Sequence, residues 1–198
     1  WNTARVTSFE AMFQDAVVAQ PDTQSWDVSA ASEFQSMFKG ALRANPDVAS
    51  WDLSVATNLT SMFEDATSAR PETGAWDLSS VTQLERMFKG ATSANPDVSA
   101  WDIGLVTSVA GLFQGATQAL PDMTTWSVGQ LLDLSAMFLD SRLPTKEYSD
   151  FLVYLRDNNA QTGVTLHGGS STYNAYGQSA RETLINARGW TIEDGGRS

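Results

Sequence analysis

One step of 25 residues governs this chain. Tryptophan stands at Trp1, Trp26, Trp51, Trp76, Trp101 and Trp126, and phenylalanine keeps the same interval at Phe13, Phe38, Phe63, Phe88, Phe113 and Phe138. Proline follows suit at Pro21, Pro46, Pro71, Pro96 and Pro121. Three independent columns with no insertion or deletion define an internal repeat. A single repeat of this length cannot bury its apolar side alone, so its stability must come from the repeats beside it. Trp76, Leu78, Val81, Leu84, Met87, Phe88, Ala91 and Ala94 form the inward set of one repeat, with large and small residues in fixed columns. Burying one Trp is worth roughly 4–6 kcal/mol before entropy is charged.

Local signals assign elements within each repeat. Val81, Leu84, Met87, Phe88 and Ala91 are spaced as a helical stripe. Thr82 with Glu85, Thr7 with Glu10 and Ser32 with Gln35 have the spacing of a capping box, and Gly40, Gly90 and Gly115 suit a left-handed helix stop. A short helix is therefore expected over residues such as 83–89. An extended stretch follows, and a short strand is expected within 92–98 and its equivalents. Stacked coils would pair these strands in parallel. The proline in every repeat removes one ladder donor, so that strand must be short or lie to one side of it.

The register fades after Phe138, and a change of text divides the chain into a repeat region, 1–141, and a C-terminal α/β cap, 142–198. Pro144-Thr145 opens a helix with the stripe Tyr148, Phe151, Leu152 and Leu155, ended by Asn158 and Asn159. A second helix is expected over Tyr173 to Ala187, then a strand at Gly189-Trp190-Thr191-Ile192. Exposed apolar ends of a repeat array need such a lid. Charge changes at the same boundary: residues 1–141 carry 17 acidic and 6 basic side chains, whereas 142–198 carry 6 of each. The formal charge of −11 repels phosphate backbones and anionic lipid, which argues against nucleic acid and is compatible with cations or a basic partner. No cysteine is present, which removes disulfides, thiol nucleophiles and thiolate zinc sites. No apolar run approaches the ~20 residues of a membrane span, so no membrane insertion by this segment is expected. A start at Trp1 without initiator Met or leader reads as a segment of a larger multidomain polypeptide.

The run Trp76-Asp77-Leu78-Ser79-Ser80-Val81-Thr82-Gln83-Leu84-Glu85-Arg86-Met87-Phe88-Lys89-Gly90-Ala91 resembles the W-D-x-S-x-V-T-x-[ML]-x-x-M-F-x-x-A repeat of BspA-type bacterial leucine-rich-repeat surface proteins. All six repeats match to some degree. Leu184 through Gly196, with Ala187-Arg188-Gly189-Trp190-Thr191-Ile192, is similar to the segment that often closes such arrays. The resemblance implies a right-handed leucine-rich-repeat solenoid of six 25-residue coils, each a short strand plus a short helix. It also implies a secreted or cell-surface location and a role in adhesion, often as one module of a long adhesin. The chain departs from the family pattern at Ala19, Ala44, Ala69, Ala94 and Ala119, where Phe or Leu is usual, and in the proline two residues later.

Each candidate site has a plainer alternative. The Trp column is either a buried spine or a sugar-stacking platform; Trp101 and Ile103 share one face of an extended segment, which favours burial. Asp27, Asp52, Asp77 and Asp102 follow the Trp column, and Asn2 and Ser127 replace them in the end repeats. Asn, Asp and Ser share the ability to bond nearby amides in turns, so this column reads as structural. In the column Asp22, Asp47, Glu72, Asp97 and Asp122 the charge persists while side-chain length changes. Those carboxylates either cap turns in solvent or face a ligand or Ca²⁺. Their neighbours Gln20, Asn45, Arg70, Asn95 and Leu120 vary, as a binding surface does. In a leucine-rich-repeat solenoid this column lies near the concave face. His167 is the only histidine and reads as a loop residue, not a metal ligand; Gly168-Gly169-Ser170 is too short for a phosphate loop.

No Ser–His–Asp set, H-E-x-x-H, P-loop or dinucleotide motif occurs, so an enzyme is not expected. The leading expectation is an extracellular recognition module binding a protein, peptide or glycan on another cell or matrix. The alternative is a structural spacer of a long adhesin with no ligand of its own. Ice binding would need paired flat threonine columns; the single near-threonine column (Thr7, Ser32, Thr57, Thr82, Thr107) already has a capping task.

Overall fold

The computed structural model describes residues 1–198. Its regular elements lie almost wholly in the C-terminal part. They are α1 (Thr145–Asn158), α2 (Ala175–Arg188), a 3-10 turn at Val128–Gln130 and three short strands, β1 (Asp133–Leu134), β2 (Thr165–His167) and β3 (Thr191–Glu193). The strands form one parallel sheet in the order β1-β2-β3.

This overturns the expected right-handed leucine-rich-repeat solenoid of strand-plus-helix coils. Residues 1–127 contain no helix, and their only ladder contacts are isolated bridges. The helix expected over 83–89 is a run of turns, and 92–98 holds no strand. With that architecture goes the concave strand face on which the candidate carboxylates were placed.

The reason lies in the backbone. Two positions in every repeat are left-handed: Ala11, Ser36, Ser61, Arg86, Gly111 and Ala136, and four residues later Asp15, Gly40, Asp65, Gly90, Gly115 and Asp140. A left-handed residue breaks a right-handed helix. Between right- and left-handed residues, alternate N–H groups point out of the repeat instead of along an axis. Phe9, Ala11, Phe13 and Asp15 donate to the carbonyls of Glu33, Gln35, Met37 and Lys39 at 2.8, 3.0, 2.8 and 2.7 Å. The intervening amides of Met12, Gln14 and Ala16 bond three residues back. The same forward bonds recur from Phe34, Ser36, Phe38 and Gly40 and from Leu59, Ser61, Phe63 and Asp65. Each left-handed non-glycine costs about 1–2 kcal/mol, offset by hydrogen bonds worth about 0.5–1.5 kcal/mol each and by the burial they align. Gly40, Gly90 and Gly115 do adopt the expected left-handed backbone, but they end no helix. The Thr column caps none either: Thr57 Oγ1 donates to Ser32 O and Thr82 Oγ1 to Thr57 O, each at 3.3 Å.

Bonded this way, equivalent side chains face each other from repeat to repeat. Phe13, Phe38, Phe63, Phe88, Phe113 and Phe138 stack in one row, with centroids 5.4–5.9 Å apart. The Trp column forms a second row, with Trp76–Trp101 at 6.4 Å and Trp101–Trp126 at 6.3 Å. Buried indole N–H groups need partners, and Trp76 and Trp126 donate to Val48 O and Val98 O at 3.0 Å.

The C-terminal part extends this pattern. The bridge column Ser8, Glu33, Asn58 and Gln83, resumed at Ser108 and Asp133, continues through Thr165 and Thr191 of β2 and β3. Phe138 N–H donates to His167 O at 3.0 Å, as Phe113 N–H does to Met137 O. Helices α1 and α2 begin and end within two residues of the positions read from sequence. One apolar core of 54 buried residues runs from Phe9 to Ile192, so repeats and tail share it.

One joint is looser. Between the fourth and fifth repeats the Gln83–Ser108 bridge is absent. The buried Leu84 N–H has no backbone partner, although its equivalents Phe9, Phe34, Leu59 and Val109 each have one. This is the one joint at which the column of Val6, Ala31, Ala56, Val81, Val106 and Leu131 sets valine against valine.

Candidate functional site

The Trp column is not a ligand platform. Trp51, Trp76, Trp101 and Trp126 are buried, and only Trp1, at the open end, is exposed. The Asp27 column builds turns. Asp27, Asp52, Asp77 and Asp102 each accept the N–H two residues on, at 3.0–3.1 Å, and Asn2 accepts that of Ala4 at 3.3 Å. The hydroxyl and N–H of the following Ser hold the Asp27, Asp52 and Asp77 carboxyls below the usual carboxylate range.

The second acidic column divides. Asp22, Asp47, Asp97 and Asp122 make the same turn, accepting N–H from Gln24, Ala49, Ser99 and Thr124. Asp97 and Asp122 also accept the hydroxyls of Ser99 and Thr124 at 2.6 and 2.7 Å, which lowers both acids. Glu72, one methylene longer, makes no such turn, and its exposed carboxylate stays available. No three His, Asp or Glu side chains converge to hold a metal ion, so the Ca²⁺ reading has no built site.

Two of the neighbouring residues brace the array. Asn45 Oδ1 accepts Arg70 N–H and Asn95 Oδ1 accepts Leu120 N–H, both at 2.8 Å, each reaching one repeat forward. These bonds stand in for the ladder that the prolines interrupt.

Four of the nine candidate residues, Arg70, Glu72, Asn95 and Asp97, meet at one place. A groove of about 470 Å³ between the third and fourth repeats is lined by Arg70, Pro71, Glu72, Thr73, Gly74, Asn95 and Asp97. Asp97 is pinned by its Ser99 turn, and a Cβ on Gly74 would lie 2.9 Å from its Oδ2. Gln20, Asp22, Asn45 and Asp47 lie outside this groove. So does Asp122, which lines a second depression against α1 beside Lys146 and Asp150. Sequence reading did not nominate Pro71, Thr73 or Gly74. The available signal was Gly74 itself, in a column otherwise filled by Gln24, Ala49, Ser99 and Thr124.

His167 lies in β2, not in a loop. Its Nδ1 accepts Gly169 N–H at 3.1 Å, and its Nε2 lies 3.4 Å from Glu193. The two glycines after it are packing requirements: a side chain on Gly168 would strike Tyr148, and one on Gly169 would strike the carbonyls of Phe138 and Ser141.

A family model described as "Mycoplasma protein of unknown function, DUF285" matches residues 1–73 and 47–151. No curated protein and no solved structure matches the chain.

Proposed function

Because the chain belongs to the DUF285 family, whose description assigns no activity, we propose from its own residues that it is a recognition module of a surface adhesin. It binds a polar or basic segment of a protein, peptide or glycan in the groove of Arg70, Glu72, Asn95 and Asp97. The carrying observation is that groove: charged and amide side chains of unlike type line it, on segments tied to the adjoining repeats by hydrogen bonds from Arg70 N–H to Asn45 Oδ1 at 2.8 Å and from Thr73 Oγ1 to Asp97 O at 2.6 Å. A preorganised polar site loses little freedom on binding. Support for a cell-surface or extracellular setting, within a larger multidomain polypeptide, comes from the BspA-type motif. The absence of any recognised catalytic motif supports binding over catalysis.

A second reading, a spacer without its own ligand, is favoured by one observation: the Asx turns of Asp22, Asp47, Asp97 and Asp122 give those carboxylates a structural use. The test is display of the protein on peptide and glycan arrays beside a variant carrying Arg70→Ala, Glu72→Gln and Asp97→Asn. Asn keeps the turn acceptor at 97, so the fold persists. Recognition predicts a ligand whose affinity falls about tenfold or more in the variant. Unchanged affinity removes the groove, and an array with no ligand favours the spacer.

A further inference from the structure

We propose that a second groove, at the joint of the fourth and fifth repeats, is a binding site for an uncharged oligosaccharide. Its volume is about 560 Å³, and it shares no residue with the groove of Arg70 and Glu72.

The sequence makes this groove by subtraction. Three positions line this side of each repeat: Gln83, Glu85 and Arg86 in the fourth, and Asp133, Ser135 and Ala136 in the sixth. In the fifth they shrink to Ser108, Ala110 and Gly111, which leaves a trough between the other two. Arg86 is the one long side chain in its left-handed column. Its stem lies across Gly111, where a Cβ would stand 3.0 Å from Arg86 Cγ. The guanidinium enters no ion pair and no hydrogen bond within the protein, unlike Lys89 beside it, which Glu64 holds at 3.1 Å. The side-chain amides of Gln83 and Gln114, also in the lining, are equally unshared.

The backbone opens at the same place. Asn58, Gln83 and Asp133 each donate an N–H to the repeat before and accept one from it at the carbonyl. Ser108, their equivalent, does neither. Further along that joint the N–H groups of Arg86, Phe88 and Gly90 stay bonded to Ala110, Leu112 and Gln114 at 3.0, 3.0 and 2.7 Å. The opening is therefore local to Ser108, which lines the groove.

These groups define the ligand's chemistry. Guanidinium and N–H donate, carboxylate and carbonyl accept, and amides do both. Sugar hydroxyls, each a donor and an acceptor, match such a mixture. Charge disfavours an anion, because Glu64 neutralises Lys89 and the carboxylates of Glu85 and Asp133 outnumber Arg86. A peptide fits less well. The only apolar residues of the lining are Ala110 and Ala136, which offer no pocket for an anchoring side chain, and one unbonded ladder position is too short an edge for strand addition. The volume falls within the range of about 300–1,000 Å³ for small-ligand sites.

The test titrates the full chain with neutral tri- and tetrasaccharides of glucose, galactose and mannose while the amide NMR spectrum is followed. At least one of these sugars is expected to shift the amides of Ser108, Ala110, Gly111 and Gln114, and to slow exchange at Ser108 about tenfold. Arg86→Ala is expected to weaken that sugar about tenfold or more. Alanine holds the same left-handed position at Ala11 and Ala136, so the fold persists. Ala110→Gln, which gives the fifth repeat the side chain of Gln35, is expected to fill the trough and abolish binding. The proposal is overturned if none of these sugars moves those amides, or if a sugar binds Ala110→Gln as well as it binds the unchanged chain. A peptide or an acidic glycan that Ala110→Gln excludes, with no neutral sugar bound, also overturns it. A sugar kept by Ala110→Gln but lost in the variant carrying Arg70→Ala, Glu72→Gln and Asp97→Asn belongs to the first groove. That result overturns this proposal and leaves the first reading standing.

Discussion

Glu64 shows how a single residue ties three repeats together. Its carboxylate is buried between Lys39 at 3.0 Å and Lys89 at 3.1 Å, from the repeats before and after. Burial pushes the acid up, but hydrogen bonds from Ser61, Lys39 and Lys89 outweigh it and bring it from 4.5 to about 2. A carboxyl lowered on folding stabilises the fold above its unfolded value and loses that contribution as pH falls through the folded one. Urea titrations should therefore show stability falling from pH 4.5 toward pH 2. Glu64→Gln should cost on the order of 2 kcal/mol at pH 7 and flatten that slope. Gly169 is a second position sensitive to a single substitution. It combines a φ of 63° with a Cβ direction blocked by Phe138 and Ser141 carbonyls, so Gly169→Ala is expected to cost more than about 2 kcal/mol in thermal unfolding.

At the scale of elements, side chains revealed more than backbone. Helix α1 was legible because Pro144 starts it and its apolar stripe is long enough to exclude other periods. The repeat segment was not. Spacings of three, three, one and three place Val81, Leu84, Met87, Phe88 and Ala91 on one side of a helix, and equally on one side of a backbone alternating in hand. The deciding column, Ala11, Ser36, Ser61, Arg86, Gly111 and Ala136, carries little left-handed signal outside Gly111. The column four residues later, all Asp or Gly, carries a clear one. Groove residues were half legible for a related reason: the variation at Arg70 and Asn95 is visible in sequence, but their meeting in one groove depends on how two repeats abut. The element account also makes the fourth joint the weakest. Hydrogen exchange should find the Leu84 amide at least about tenfold faster than those of Leu59 and Val109, its bonded equivalents.

Across the whole molecule, aromatic rows and forward backbone bonds run in one direction, from an open first repeat to a last repeat continued by β2 and β3. The acidic excess lies on the repeats and the neutral tail adds none. The groove proposed for recognition lies between the third and fourth repeats of that array. All of this depends on hydrogen bonds that leave each repeat for the next. Through-hydrogen-bond scalar couplings in an NMR spectrum of the labelled protein detect them directly. The couplings expected join the nitrogen of Phe38 to the carbonyl carbon of Met62, Phe63 to Met87 and Phe88 to Leu112, across bonds of 2.8, 2.9 and 3.0 Å. Couplings from the same nitrogens to carbonyls four residues earlier would mean that these segments are helices, and would contradict the account.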